Sequence, residues 1–263
     1  WTLEYALKVK NYLSENHKMR HDELVEKLAL KDKEVEKWRN IKEKMYYPYI
    51  DSQDVFEQQD GYMDKELKTR ADLDKEDLPL NQNWSWDRIL RSCYVKQADV
   101  LQGLYFLNDK YDLKTKKRNF DFYEPKTVHE SSLSPCVYSI IASEIGYKER
   151  AYELYLRTAR LDLENYNNDT EDGLHITSMA GTWMAIVHGF AGMRIKDNHL
   201  IFSPYLPSEW DDYSFKINFR QRVLTIHVYE KELKITKEKG EKISVIVFDK
   251  KYELDDDILT LKI

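Results

Sequence analysis

The hydrophobic periodicity of this 263-residue chain changes once, near Asn198, and that change limits what it can fold into. Before it, apolar residues recur every three or four positions, the repeat of a helix with one buried face. After it they alternate. Phe215, Ile217 and Phe219 are separated by Lys216, Asn218 and Arg220, the period-two pattern of a half-buried strand. Residues 223–228, 233–236, 243–248 and 259–263 read as further short strands, and Lys239-Gly240-Glu241 reads as a hairpin turn. The pattern predicts a mainly α chain with a β tail: helices over residues 1–198, then a small antiparallel β domain over residues 199–263 that acts as a stabilising appendage.

Within the helical part, Leu3, Ala6, Leu7 and Leu13 mark an opening helix. A second starts at His21-Asp22 and carries Leu24, Val25, Leu28 and Leu30. A third carries Val35, Trp38, Ile41 and Met45, with Asp32 as its N-cap and Pro48 beyond its end. Trp1 stands inside what reads as a helix already under way, with no initiator Met, signal peptide or cap before it, so the chain reads as a piece of a longer polypeptide. Residues 46–85 lack periodicity; a stretch this long is either a functional loop or a surface excursion. Helical spacing resumes near Trp86, with Asp99, Val100, Leu104, Phe106 and Leu107 on one helix. Ser134-Pro135 reads as an N-cap with proline at the first helical position, opening an apolar run that Gly146 stops. Residues 147–161 place Ala151, Leu154, Tyr155 and Thr158 on one face; a polar stretch, 162–176, leads to a helix capped by Thr177-Ser178.

Composition removes several classes. With 42% hydrophobic and 33% charged residues the chain has too much apolar content for disorder. Lys and Arg number 41 against 47 Asp and Glu, and a net charge of −6 argues against a nucleic-acid or anionic-membrane partner. No apolar run approaches the roughly 20 residues that span a bilayer. Cys93 and Cys136 are the only cysteines, which excludes a disulfide scaffold and fits a cytoplasmic protein. The histidines (17, 21, 129, 175, 188, 199 and 227) show no metal-ligand spacing, so no metal is expected.

Three constellations could carry chemistry. In the first, Asp169, Glu171, Asp172, Gly173 and His175 precede Thr177-Ser178-Met179-Ala180-Gly181. Hydroxyls and small residues at a helix start leave N–H groups and the positive end of the dipole for an anion; the alternative is an ordinary cap. The second is His129-Glu130-Ser131-Ser132-Leu133-Ser134-Pro135, where Glu130 could act as a base, His129 and Ser131 as anion donors, or all simply as a capped loop. In the third, Lys96-Gln97-Ala98-Asp99, adjacent Lys and Gln can grip neighbouring sugar hydroxyls; the alternative is a solvated helix start.

The same residues carry a resemblance. Phe120-Asp121-Phe122-Tyr123-Glu124-Pro125, Thr127-Val128-His129-Glu130-Ser131-Ser132-Leu133-Ser134-Pro135 and the run from Tyr166 through His175-Ile176-Thr177-Ser178 to Trp183 resemble family 65 of the glycoside hydrolases, the disaccharide phosphorylases of maltose, kojibiose, trehalose and nigerose. Lys96-Gln97-Ala98-Asp99 and Gln58-Gln59-Asp60-Gly61-Tyr62 fit as well. The resemblance covers essentially the whole chain. It implies the second half of an (α/α)6 barrel followed by the family's small C-terminal β domain. It also implies inverting phosphorolysis of an α-glucosidic bond, with inorganic phosphate as co-substrate, no other cofactor and β-glucose 1-phosphate as product. The family's acid Glu falls in a motif ahead of Trp1, so no catalytic residue is assigned here and Glu130 is not that acid. His175, Thr177, Ser178 and Gly181 match the phosphate side, with Ser131 and Ser132 in a second loop facing it; Lys96 and Gln97, with Glu130 beside them, match the glucose side. The expected partners are an α-glucose disaccharide, phosphate, the missing N-terminal part of the same enzyme and, in the full-length protein, a second copy. Alone, the chain is expected to be inactive. A non-catalytic carbohydrate-binding module and a family hydrolase using water are the alternative readings.

Overall fold

A computed structural model describes residues 1–254 and 257–263, in two compact units, Trp1–Tyr49 and Ile50–Ile263. The first unit is three helices, α1 (Thr2–Asn16), α2 (Lys18–Lys27) and α3 (Asp32–Glu43), with α1 against both others. Val35 is its one buried hydrophobic side chain, while Trp1, Tyr5, Val9 and Tyr12 are exposed. Asp32 is not the cap of α3. Lys31 holds that position, and Asp32 lies in the first turn, where its charge suits the helix dipole.

The second unit holds α4 (Leu80–Asn83), α5 (Trp86–Arg91), α6 (Asp99–Phe106), α7 (Leu113–Tyr123), α8 (Ser134–Glu144), α9 (Lys148–Ala159), α10 (Leu161–Glu164) and α11 (Ile176–Met184), which continues into a π-helical turn, Ala185–Phe190. α8 is central. Every residue from Ser134 to Ala142 is buried, because α6, α7, α9 and α11 all pack on it. Gly146 ends it as the sequence predicts. With φ +85 it donates to the Ser143 carbonyl, and Tyr147 donates to the Ala142 carbonyl, so the last turn is closed without a strained side chain.

The expected N-caps at Ser134 and Thr177-Ser178 are not formed. Leu133 and His175 occupy the cap positions, one to three residues earlier. The hydroxyls are used across the fold instead: Ser134 Oγ pairs with His129 Nδ1 at 2.9 Å, Ser178 Oγ donates to the Thr158 carbonyl at 2.6 Å, and Thr177 Oγ1 pairs with Ser132 Oγ at 2.6 Å. Each tertiary bond satisfies a hydroxyl that a local cap would otherwise have taken.

The β part forms two four-stranded sheets. Their strands are β1 (Arg194–Lys196), β2 (His199–Phe202), β3 (Asp212–Phe219), β4 (Arg222–Tyr229), β5 (Glu232–Lys239), β6 (Ile243–Val247), β7 (Lys250–Leu254) and β8 (Ile258–Lys262). The antiparallel sheet has the order β8-β5-β4-β3. Its inner face is the alternating set Leu224, Ile226 and Val228 with Leu233 and Ile235. The other sheet, β1-β2-β6-β7, has one parallel pair, Leu200 opposite Val245 and Phe202 opposite Val247. The first strand begins at Arg194, ahead of the residue-199 boundary. Lys239-Gly240-Glu241 is a connection between the sheets and not a hairpin. Gly240 has φ +98, and an added Cβ would lie 2.7 Å from the Gln221 carbonyl, so the chain turns there by a route that only glycine allows.

The sheets are tied to the helices. Ser203 donates to the Ala191 carbonyl, Tyr205 to that of Phe190, and Trp210 lies edge-on to both Phe190 and Tyr155. Buried Lys116 holds Glu144 at 2.6 Å, and Arg194 reaches the same carboxylate from β1 at 3.3 Å. Burial alone would raise the Glu144 carboxyl; Arg194, Lys116 and Asn108 outweigh it and hold the group below its ordinary value. No helix among the described residues is long and apolar enough to cross a membrane.

Helices α11 and α8 approach closely at Gly181. A Cβ there would meet Cys136 Cβ and Sγ of α8 at 2.9 Å and Thr158 of α9 at 3.3 Å. Gly181→Ala gains about 1 kcal/mol of helix propensity but overpacks a filled contact, at a cost of roughly 1–3 kcal/mol. The clash involves the stem of Cys136 and not a flexible tip, so the variant is expected to be less stable, and Cys136→Gly added to it should restore part of the loss. A denaturation midpoint equal to or above wild type for Gly181→Ala would contradict this packing.

Candidate functional site

A cavity of about 450 Å³ opens in the second unit. Five chain segments form its wall: α4 and α5 with the residues after them contribute Leu80, Asn81, Trp86, Ile89, Leu90, Ser92 and Tyr94, and the other four are positioned by identifiable bonds.

The first segment is the irregular stretch ahead of α4. Gln58, Gln59, Tyr62 and Lys65 line the cavity. Gln58 N donates to the Tyr123 hydroxyl, and Lys65 Nζ donates to the carbonyls of Leu90 and Ser92 at 2.8 and 2.9 Å. This part of the aperiodic 46–85 region is therefore cavity wall and not a surface excursion.

The second segment is Lys96-Gln97 with Asp99. Val95 forms a parallel bridge to Thr127, with Val128 N donating to the Val95 carbonyl, which lays this dipeptide beside residues 130–132. Asp99 receives Gln97 Nε2 at 3.0 Å and Gln58 Nε2 at 3.2 Å. Lys96 has no hydrogen-bond or ion-pair partner among the described residues and lies on the cavity wall.

Glu130, Ser131 and Ser132 make the third segment. Buried Glu130 accepts from Leu80 N at 2.6 Å and from Asn81 N at 3.4 Å, so its carboxylate holds the start of α4. That engagement places it as a structural acceptor bordering the cavity, in addition to the sugar contact expected of it. Ser131 Oγ donates to Gln97 Oε1 at 3.4 Å. His129, the other candidate donor of this loop, does not line the cavity. It is buried, its backbone has φ +57, and Nδ1 is held by Ser134. Burial above all, with Arg157, Arg150 and Arg70 nearby, pushes its pKa well below the ordinary histidine value, so it stays neutral.

The fourth segment is the loop between α10 and α11, which brings Asp169 and His175 to the cavity. Asn165 Oδ1 accepts from Asp169 N and Thr170 N, and Gln82 Nε2 donates to the carbonyls of Asn167 and Asn168. Asp162 grips the far end of the loop: Oδ2 accepts from His175 N at 3.0 Å and Oδ1 meets His175 Nδ1 at 2.5 Å. The other ring nitrogen, Nε2, lies 3.4 Å from Asp169 Oδ2. The Asp162 hydrogen bond raises the His175 pKa; partial burial opposes it, and the charges of Asp169 and Asp162 add to it. The sequence places Asp162 and Asp169 in the polar stretch but gives neither a role, because the partner of Asp162 is 13 residues away.

The structure thus brings together Lys96, Gln97, Glu130, Ser131, Ser132 and His175, with Thr177 hydrogen-bonded to Ser132 at the edge. It does not bring Ser178 or Gly181 to the cavity. Ser178 is buried against Thr158, and Gly181 serves the α8–α11 contact.

Removing the Glu130 side chain leaves two N–H groups of α4 without their acceptor, a cost of roughly 1–3 kcal/mol. Glu130→Ala should lower stability by that order and accelerate hydrogen exchange at Leu80 and Asn81, while Glu130→Gln, which keeps one acceptor oxygen, should do so less. Unchanged exchange at Leu80 in Glu130→Ala would show that the carboxylate does not hold this helix.

The model of the glycosyl hydrolase family 65 central catalytic domain matches residues 1–184, and that of the family 65 C-terminal domain matches residues 193–254. The chain is 53% identical to maltose phosphorylase of Bacillus subtilis (strain 168) over 95% of its length and 32% of that protein's. It is 38% identical to alpha,alpha-trehalose phosphorylase of Thermoanaerobacter brockii over 96% of its length and 33% of that protein's. A solved structure assigned as a kojibiose phosphorylase from the human microbiome superimposes with a TM-score of 0.87 at 37% identity, covering 99% of this chain and 37% of that one. The chain spans about a third of the length of the curated relatives it matches. The matches to both domain models, over 1–184 and 193–254, place this chain in glycosyl hydrolase family 65.

Proposed function

We propose that this chain forms the glucose- and phosphate-binding part of an inverting phosphorylase that cleaves an α-glucosidic disaccharide, within a catalytic domain built as an (α/α)6 barrel. The observation that carries this reading is the convergence of Lys96, Gln97, Ser131, Ser132 and His175 on one cavity, in a chain whose relatives are named as disaccharide phosphorylases. The catalytic acid is a Glu outside this chain.

Phosphorolysis asks two things of such a cavity. It must hold glucose with its C1 facing the incoming anion, and it must hold the anion without base catalysis, because phosphate is already nucleophilic at neutral pH. Lys96 and Gln97 offer a charged donor and a mixed donor and acceptor for sugar hydroxyls. Protonated His175 and the hydroxyls of Ser131, Ser132 and Thr177 offer donors for the phosphate oxygens. As the glycosidic bond breaks, its electron pair goes to the leaving oxygen, which takes the proton of the acid. A phosphate oxygen then forms the new bond to C1 from the opposite face, giving β-glucose 1-phosphate.

Two of the three carboxylates in the cavity are consistent with this. Asp99 is engaged by two amide donors and Glu130 by two backbone N–H groups. Both are thus hydrogen-bond partners of the wall, whereas Lys96 is left for a ligand.

In the intact enzyme that contains this chain, glucose 1-phosphate should be released from at least one α-linked glucose disaccharide only when phosphate is present. This chain alone should show no turnover. Lys96→Ala should lower kcat/KM roughly 10- to 100-fold, the loss of one charge-assisted hydrogen bond. Release of free glucose at an equal rate in phosphate-free buffer would instead make water the nucleophile and the protein a hydrolase.

A further inference from the structure

His175 is held at the cavity wall through both its backbone and its ring. Asp162 takes both its backbone N–H and its Nδ1, at 3.0 and 2.5 Å, so one carboxylate fixes the loop end and the ring together. A carboxylate at Nδ1 requires the proton there, orients Nε2 away from Asp162 and stabilises the imidazolium once Nε2 is also protonated. Asp162 does not line the cavity, and its side chain lies behind the ring. From the cavity side, Nε2 faces Asp169 at 3.4 Å, and Lys96 and Glu130 stand on the same wall.

We infer that Asp162 is a positioning residue: it orients His175 and holds it as an imidazolium, so that Nε2–H is presented to an oxyanion in the cavity. The inference rests on the phosphate-binding role proposed above and names the group that makes His175 fit for it. Asp169 is the lesser partner, because its contact is longer, 3.4 against 2.5 Å, and meets only the outward nitrogen. The direction of the His175 pKa, raised by Asp162 first, agrees with this geometry.

The sign of the pH effect follows. An imidazolium retained above the ordinary histidine value keeps the anion donor charged as pH rises through neutrality. Without Asp162 the same donor is lost at lower pH. The test uses the intact enzyme with 13C-labelled histidine, Asp162→Asn and Asp169→Asn variants, and inorganic phosphate as the probe. The His175 titration midpoint should lie above about 6.5 in the wild type. It should fall toward the ordinary histidine value in Asp162→Asn, so that at pH 7.5 the phosphate KM rises several-fold, while at pH 5.5 it approaches the wild-type value. Asp169→Asn should move the midpoint less, and Asp162→Glu should recover part of the shift.

A midpoint that stays in place in Asp162→Asn overturns the positioning role. A midpoint that falls while the pH profile of the phosphate KM is unchanged leaves the Asp162–His175 coupling standing and overturns the phosphate role of His175. A KM raised equally at pH 5.5 and 7.5 would show that Asp162 only supports the fold of the loop, and would also overturn the inference.

Discussion

The arrangement of the cavity depends on how closely α11 can approach α8. Gly181 carries no side chain where it meets Cys136, and a Cβ at that point would be 2.9 Å from the cysteine. Both helices begin at the cavity: α8 is preceded by the loop with Glu130, Ser131 and Ser132, and α11 by the loop with His175. Their spacing therefore sets the separation of the two loops. The Ser132–Thr177 hydrogen bond ties the same two loop ends together, and Ser178–Thr158 ties the start of α11 to the end of α9. α8 can serve as this reference because it is buried along nearly its whole length and is contacted from four sides. A rigid central element with chemistry in the loops at its end is a common way to combine stability with a precise site.

The electrostatics of the wall follow a single pattern. Wall carboxylates that would repel an anion are met by groups of the protein itself: Asp99 by two glutamines, Glu130 by the start of α4, and Asp169 by the His175 ring at 3.4 Å. Two histidines then diverge in environment. His129 sits in the interior beside arginines and is kept neutral; His175 sits at the cavity between two aspartates and is favoured as a cation. The signs of their stability contributions are opposite. The folded pKa of His129 is depressed, so the unfolded chain binds its proton more readily and stability is lost as pH falls below the ordinary histidine value. The folded pKa of His175 is raised, so its contribution is complete below that value and is lost as pH rises through the folded one.

Much of the fold is written in local periodicity. Alternation at Phe215, Ile217 and Phe219 and the stop at Gly146 need only neighbouring residues to be read, and both are formed. What escapes a single sequence is where a polar group finds its partner. Ser134, Thr177 and Ser178 have the chemistry of caps, and only the folded chain offers them His129, Ser132 and Thr158 instead. Glu130 finds its donors fifty residues away at Leu80, and β2 pairs with β6 across more than forty residues. The Gly240 turn looked like a hairpin because its local residues suit one, yet β5 and β6 belong to different sheets. For the site, the residues singled out by the long motifs divide in the folded chain: Lys96, Gln97, Ser131, Ser132 and His175 line one cavity, whereas Ser178 and Gly181, matched to the phosphate side by the same motif as His175, lie in helix contacts.

The central claim is that this one cavity holds glucose and phosphate side by side. A crystal structure of the intact enzyme with both bound tests it most directly. The account predicts a phosphate within hydrogen-bond distance of His175 Nε2 and of a Ser131 or Ser132 hydroxyl, and glucose hydroxyls on Lys96 and Gln97. Phosphate seated away from His175, or glucose bound with Lys96 and Gln97 untouched, would contradict it.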